Sequence, residues 1–264
     1  MPRLPMLARF WRAKVEHGKD AGSPNSGAIG ATEDEARRRL AAARTGHSLV
    51  DGALEFGPMA HERTARLSAS PPLFENRLLD LFSRIHPSVP AIIFVPVVVA
   101  GVWLGADRGY GAVQSVLLVA LGLLIWTLTE YWLHRLVFHW EPDHPLGSRL
   151  HFIIHGVHHD HPNDRLRLVM PPAASVPLAA LFLWAFTLIF GTPAAYPIFA
   201  GLIVGYLAYD YTHYHVHHHT PKTKLGKRIR EQHMRHHFQD HRYGYGVSSP
   251  LWDIVFRTLP RKRN

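Results

Sequence analysis

Hydrophobic positions are gathered into four blocks, about residues 89–106, 111–133, 173–190 and 194–212, separated by polar and basic sequence. Each block approaches or reaches the roughly 20 apolar residues that cross the hydrocarbon of a bilayer. Pro96, Gly101, Gly122, Gly201 and Gly205 fall inside them, which membrane helices tolerate because neighbouring helices pack closely against the backbone. The pattern predicts an all-α integral membrane protein with four transmembrane helices. Runs so dense in Val, Leu and Phe argue against the alternative of buried helices in a large soluble core. The connections "DRGYG" and "GTP" are very short, so the helices should pair as two hairpins, with every sizeable polar segment on one face of the membrane.

The polar sequence divides in two. Residues 1–72 are rich in Ala, Arg, Gly, Ser and Pro and poor in large apolar residues, the composition of a mobile basic tail. Within it, Thr32 and Glu35 have capping-box spacing in "TEDEARRRLAAAR", which predicts one helix. Its arginines either touch anionic headgroups or are simply solvated. From Leu73 the texture changes: Leu73, Phe74, Leu78, Leu81, Phe82 and Ile85 recur at helical spacing. An interfacial helix leading into the first span is expected there, and residues 73–264 should form one membrane domain.

Charge and composition orient this arrangement. The 264 residues carry 29 Lys and Arg against 20 Asp and Glu, and no Cys. With both termini in the cytoplasm, only Arg108 of those cations lies in an outer loop, as the positive-inside rule asks. The start lacks the apolar core of a secretory signal. The absence of Cys excludes disulfides, thiolate-ligated haem, cysteine iron–sulfur clusters and Cys-type zinc sites. Metal chemistry must use His and carboxylates, and no nucleic-acid partner is expected.

Of 21 histidines, 17 lie between residues 134 and 241, in "HRLVFH", "HGVHH", "HYHVHHH" and "HMRHH". Positions i, i+3 and i+4 share a helix face, which predicts convergence of His155, His158 and His159, of His233, His236 and His237, and of His213 with His217. His134 and His139 are five apart, about 140° around a regular helix, so they need a local distortion or serve different metals. About ten imidazoles are too many for one ion but suit two. Glu130 and Asp210 lie within helical reach of His134 and His213 as acceptors for their second ring nitrogens. A His-rich tract alone fits passive metal binding equally well. A transporter would hold its ligands near the midplane, whereas these gather at one interface and favour one assembled site. Zinc is redox-inert, while iron activates dioxygen; soluble di-iron bundles, however, use Glu and Glu-x-x-His ligands. His17, His47, His61 and His86 read as isolated surface residues.

Together, "EYWLHRLVFH" (130–139), "LHFIIHGVHH" (150–159), "RLVMPP" (167–172), "YDYTHYHVH" (209–217), "HMRHHF" (233–238) and "YGVSSPLWDIVFRTL" (245–259) resemble the fatty acid hydroxylase/sterol desaturase superfamily. The resemblance covers roughly residues 75–260 and is closest to the fatty acid 2-hydroxylases. It implies a cytoplasmic, His-rich dimetal cap on the four spans. Carried onto matching positions, the metal ligands would be His134, His139, His155, His158, His159, His213, His217, His233, His236 and His237. His144, His151, His161, His215, His218, His219 and His241 are left as neighbours or surface residues.

The same resemblance implies two metal ions, iron for catalysis with zinc able to occupy the same ligands, and O₂ as co-substrate. The implied reaction is insertion of oxygen into an unactivated C–H bond, at C2 of a fatty acid or fatty acyl lipid held in the membrane. Eukaryotic fatty acid 2-hydroxylases carry a cytochrome b5 domain with a His-Pro-Gly-Gly motif, which this sequence lacks. Electrons are therefore expected from a separate donor, cytochrome b5-like or ferredoxin-like. Tyr131, Trp132, Trp140 and Trp252 either line the acyl entrance or anchor the interface. Two alternatives remain at this level: the same metal core acting on a sterol, carotenoid, ornithine lipid or alkylglycerol, and a non-catalytic membrane metal-binding or transport protein.

Overall fold

The computed structural model of the protein describes residues 58–261, whose regular structure is all helical, with no strand among them. The helix expected after Thr32 and most of the 1–72 segment lie outside the described residues. In chain order the helices are α1 (Pro58–Leu67), α2 (Arg77–Phe82), α3 (Val89–Asp107), α4 (Ala112–Leu133), α5 (Pro145–His151), α6 (Val157–Asp160), α7 (Pro172–Phe190), α8 (Thr192–His218), α9 (Lys224–Phe238) and α10 (Leu251–Val255). Two π-helical turns interrupt this series: His134–Phe138 prolongs α4, and Phe152–Gly156 joins α5 to α6.

Four of the helices, α3, α4 with its π turn, α7 and α8, are long and apolar enough to cross a bilayer. Pro stands in the first turn of α3, α7 and α8, where its missing N–H costs nothing. α8 is the central element: 61% of its apolar window is buried, against 17–22% in the other three. The short loops connect α3 to α4 and α7 to α8, yet the tightest contact joins helices of different hairpins, α4 and α8. A Cβ on Gly122 would stand 1.8 Å from the Ile198 carbonyl oxygen, and one on Gly201 2.0 Å from that of Val119. Backbone therefore touches backbone, the approach that small residues permit in a membrane where dispersion replaces the hydrophobic effect between helices. Around this crossing, Phe94, Trp126, Ile198, Leu202 and Tyr206 are part of the core, while Trp103, Leu117 and Leu188 point outward.

α8 runs past the expected residue 212 to His218, so its histidines leave the apolar block on a continuous helix. Ahead of the first span, α2 is shorter than the periodicity from Leu73 to Ile85 suggests. Asn76 caps it, its Oδ1 accepting from Leu78 N and Leu79 N at 2.9 and 3.3 Å, and the helix ends at Ser83. Leu78, Leu81 and Phe82 remain exposed, as an interfacial helix requires, but Leu73 is buried. Asp80 holds this segment down by accepting from Leu73 N at 2.7 Å, Arg84 Nε at 3.0 Å and Arg167 Nη2 at 3.0 Å. Leu67 O accepts from Asn163 N at 3.0 Å and Ser70 Oγ donates to Asp164 at 2.5 Å. Part of the stretch expected as tail is thus tied to the 161–167 loop.

Candidate metal centre

The polar ends of α4 and α8, the α5–α6 segment and α9 meet on one side of the bundle. One nitrogen from each of His134, His139, His155, His159 and His236 lies within 4.8 Å of the others, and a second such group comprises His158, His213, His217, His233 and His237. All ten sequence-derived candidates are brought together, and no carboxylate joins either group.

Local backbone geometry explains the sorting. The π turn, marked by His139 N donating to His134 O at 3.2 Å, widens the helix so that residues five apart face the same way. His134 and His139 consequently share a group. The expected convergence of each i, i+3, i+4 triplet is corrected: His155 pairs with His159 and His233 with His237, while His158 and His236 cross to the other group. On a helix, i+4 lies about 40° to one side of i and i+3 about 60° to the other. Helices running along the boundary therefore feed both groups. The groups share a wall, with the His159 and His237 rings stacked at a centroid distance of 4.2 Å.

Hydrogen bonding shows what the groups can hold. Nδ1 of His134 donates to the Tyr245 carbonyl at 2.6 Å and Nδ1 of His236 to that of Tyr243 at 2.7 Å. Their Nε2 atoms therefore present lone pairs. His139 Nε2 stands 3.2 and 2.9 Å from those two atoms, yet a neutral imidazole has a single N–H to give. In the second group, His158 Nε2 lies 2.9 Å from His213 Nε2 and 3.0 Å from His237 Nε2. Neutral rings cannot satisfy such sets by hydrogen bonding among themselves, whereas a cation at the convergence of the lone pairs does. Nitrogens at zinc-like ligand distances and right angles to one another are about 3 Å apart, the spacing observed. The residues fit metal ions. Outside the spans, burial first and neighbouring imidazoles second hold His139, His155, His159, His233 and His237 far below the ordinary imidazole range. Burial and His134 do the same for His236, and push His158 down to about 3. All are neutral at physiological pH, the form that ligates.

The two carboxyl groups expected to orient histidines do otherwise. Glu130 accepts from Val247 N and Ser248 N, both at 2.7 Å, and from Ser248 Oγ. Asp253 accepts from Tyr245 N at 3.0 Å and Gly246 N at 2.8 Å. These acids fix the loop whose Tyr245 carbonyl meets His134, so Glu130 acts through the loop. Asp210 Oδ1 accepts from Met170 N at 3.4 Å, and His213 Nδ1 has no hydrogen-bond partner. Sequence reasoning missed the Tyr243 and Tyr245 carbonyls and Asp253, although the segment holding Tyr245 and Asp253 contributed to the resemblance. Among the other histidines, His144 caps α5, His161 donates to Arg66 O at 2.7 Å, and His215 stacks on His219. None of these joins a group.

An apolar cavity of 390 Å³ opens between α2, the second π turn and the start of α7, and reaches His155, His158 and His213. Leu79, Phe82, Phe138, Ile154 and Ala174 are among its walls. The expectation that Tyr131, Trp132, Trp140 and Trp252 line an entrance does not match this cavity. Tyr131 is buried, its hydroxyl hydrogen-bonded to Thr258 Oγ1 at 3.0 Å, and Trp252 Nε1 donates to Thr127 at 3.0 Å. Both are occupied in joining α4 to the C-terminal segment.

Four helices long and apolar enough to cross a membrane, capped by two all-histidine clusters that can hold metal ions, define the class as an integral membrane protein with a histidine-rich centre. Residues 119–258 match the fatty acid hydroxylase family, and the chain belongs to it. It is 41% identical over 192 residues to a dihydroceramide fatty acyl 2-hydroxylase of Arabidopsis thaliana, covering 72% of this chain and 80% of the plant protein. Identity to the fatty acid 2-hydroxylase of Rattus norvegicus is 39% over 211 residues, covering 71% of this chain and 56% of the rat protein. A solved structure of full-length scs7p, in which only the hydroxylase domain is visible, matches with a TM-score of 0.68 at 34% identity, covering 72% of each chain.

Proposed function

We propose that this protein hydroxylates C2 of a fatty acyl chain in a membrane lipid, using O₂ and electrons from a separate carrier, with one iron held by each group of five histidines. The observation that carries this reading is the apolar cavity that ends at His155 of one group and His158 and His213 of the other. Its 390 Å³ falls within the usual range for small-molecule sites. The names of the plant and rat relatives support acyl C2 as the target, and the distribution of Lys and Arg supports a cytoplasmic cap and termini.

Bound iron would supply the redox chemistry that activates O₂, which zinc cannot. The chain's own part is positioning. Leu79, Phe82, Ile154 and Ala174 hold the acyl tail in apolar surroundings, leaving C2 near the histidine groups and excluding water. Tyr243 and Tyr245 carbonyls fix the ring orientations of His236 and His134. In balance, the C–H bond, O₂, two electrons and two protons give C–OH and one water.

The test is reconstitution in lipid with iron(II), a reductant and ¹⁸O₂, followed by mass spectrometry of the acyl chains. A 2-hydroxyacyl product carrying one ¹⁸O is expected. Metal uptake without oxygen consumption would overturn the enzyme reading, and an oxidised sterol or carotenoid with unaltered acyl chains would overturn the substrate.

A further inference from the structure

α9 carries its three histidines inward and presents a different surface outward. Between Lys222 and Arg242 the sequence has seven Lys and Arg against two acids. On the outer side Lys227, Arg230, Met234, Arg235 and Phe238 line an open groove of 710 Å³. Phe238 is 47% exposed, and its ring lies 5.9 Å, centroid to centroid, from that of His237 in the second group. Three residues on, the exposed His241 stacks on His139 of the first group, with centroids 5.8 Å apart and planes 12° from parallel. Each histidine group therefore has one member against an exposed aromatic ring, and the two rings belong to residues three apart in the same basic segment. Because α9 meets side chains from the ends of α4 and α8 with its inner face, its outer face is turned away from those spans.

We infer that the surface from Lys224 to Arg242 is the docking site of an acidic one-electron carrier protein, with Phe238 and His241 its points of closest approach to the two groups. The inference rests on the hydroxylase reading, in which each turnover oxidises two such carriers by one electron each and delivers both electrons to the cap. Opposite charge steers the encounter of the two proteins, and a polar rim around an apolar centre is the anatomy of a protein interface. An anionic lipid surface matches the charge and the exposed Phe238 but leaves unexplained why exposed rings of this one segment lie against a member of each histidine group.

Lys224 and Lys227 are exposed and outside both histidine groups, and acidic residues suit the first turn of a helix. Lys224→Glu/Lys227→Glu in the full chain therefore folds. Metal-loaded protein in nanodiscs is titrated with an acidic plant-type ferredoxin and, separately, with a soluble cytochrome b5 domain, at low and high salt. At least one carrier is expected to bind, more weakly as salt rises, and the double variant to bind it roughly tenfold more weakly. Carrier-driven product formation should fall in parallel, while dithionite-driven product formation stays at the wild-type level. Phe238→Leu should leave affinity within about twofold and slow carrier-driven reduction. Failure of the wild type to bind either carrier, or binding indifferent to the charge reversal, overturns the proposal. So does a charge reversal that weakens only binding of vesicles containing anionic lipid, which assigns the surface to membrane. A wild type inactive with dithionite sinks the hydroxylase reading instead, since carrier binding is measured separately.

Discussion

Glu130→Ala removes the acceptor of two backbone amides, Val247 N and Ser248 N, each 2.7 Å from Oε1, and of the Ser248 hydroxyl. Val247 is 1% exposed, so water cannot take over without opening the loop. A buried donor left unsatisfied costs about 1–3 kcal/mol, which places the loss from two amides at about 2–6 kcal/mol. Asp253 still holds Tyr245 N and Gly246 N, so the damage falls on the placement of the Tyr245 carbonyl rather than on the spans. His134 then loses the partner that fixes its tautomer, a change worth roughly 10–100-fold in metal affinity. The variant should keep its helical circular dichroism, unfold at lower temperature in detergent, and lose metal from the first group to a competing chelator at correspondingly lower chelator concentration. Glu130→Gln retains one carbonyl acceptor for the two amides and should show the smaller part of each effect. Wild-type melting and wild-type metal affinity in Glu130→Ala would refute the claim that this carboxyl positions the group through the 245–248 loop.

Three further outcomes are expected. His236→Ala should abolish product formation and lower bound metal by elemental analysis, whereas the exposed His215→Ala should change neither; equal effects would undo the division between group members and neighbours. Gly122→Val places a branched side chain where a Cβ alone would stand 1.8 Å from Ile198 O, so it should separate α4 from α8 and remove the monodisperse species from size-exclusion chromatography. A variant that elutes and melts like the wild type would discount the backbone contact. Acid should release metal: below the ordinary imidazole value of 6.5 the unfolded chain takes up protons that His158, held near 3, and its neighbours refuse. Stability is therefore full above about pH 6.5 and lost as pH falls beneath it. A dye-detected release profile flat between about pH 7 and pH 5 would count against neutral, buried ligands.

How much was legible from the chain differs by feature. The four spans could be read because a bilayer selects length and apolarity locally, and the loops were too short to permit other pairings of consecutive helices. The ten histidines could be found because Cys is absent and imidazoles recur at helical spacing beside the resemblance to a known family. Tertiary structure decided their division. A π turn changes which face residue 139 occupies, and α-helical spacing cannot register the change; His158 and His236 were assigned to the other group by helices lying along the boundary of two sites. The choice of α4 as the main partner of α8 was likewise invisible, since Gly122 and Gly201 mark a close approach without naming the approaching helix. Nor could side-chain patterns show that His134 and His236 are held by peptide carbonyls, because every residue has one and only the path of the chain brings it near. Composition and spacing determined what kinds of groups this protein has at its membrane surface; the fold alone determined which lone pairs meet.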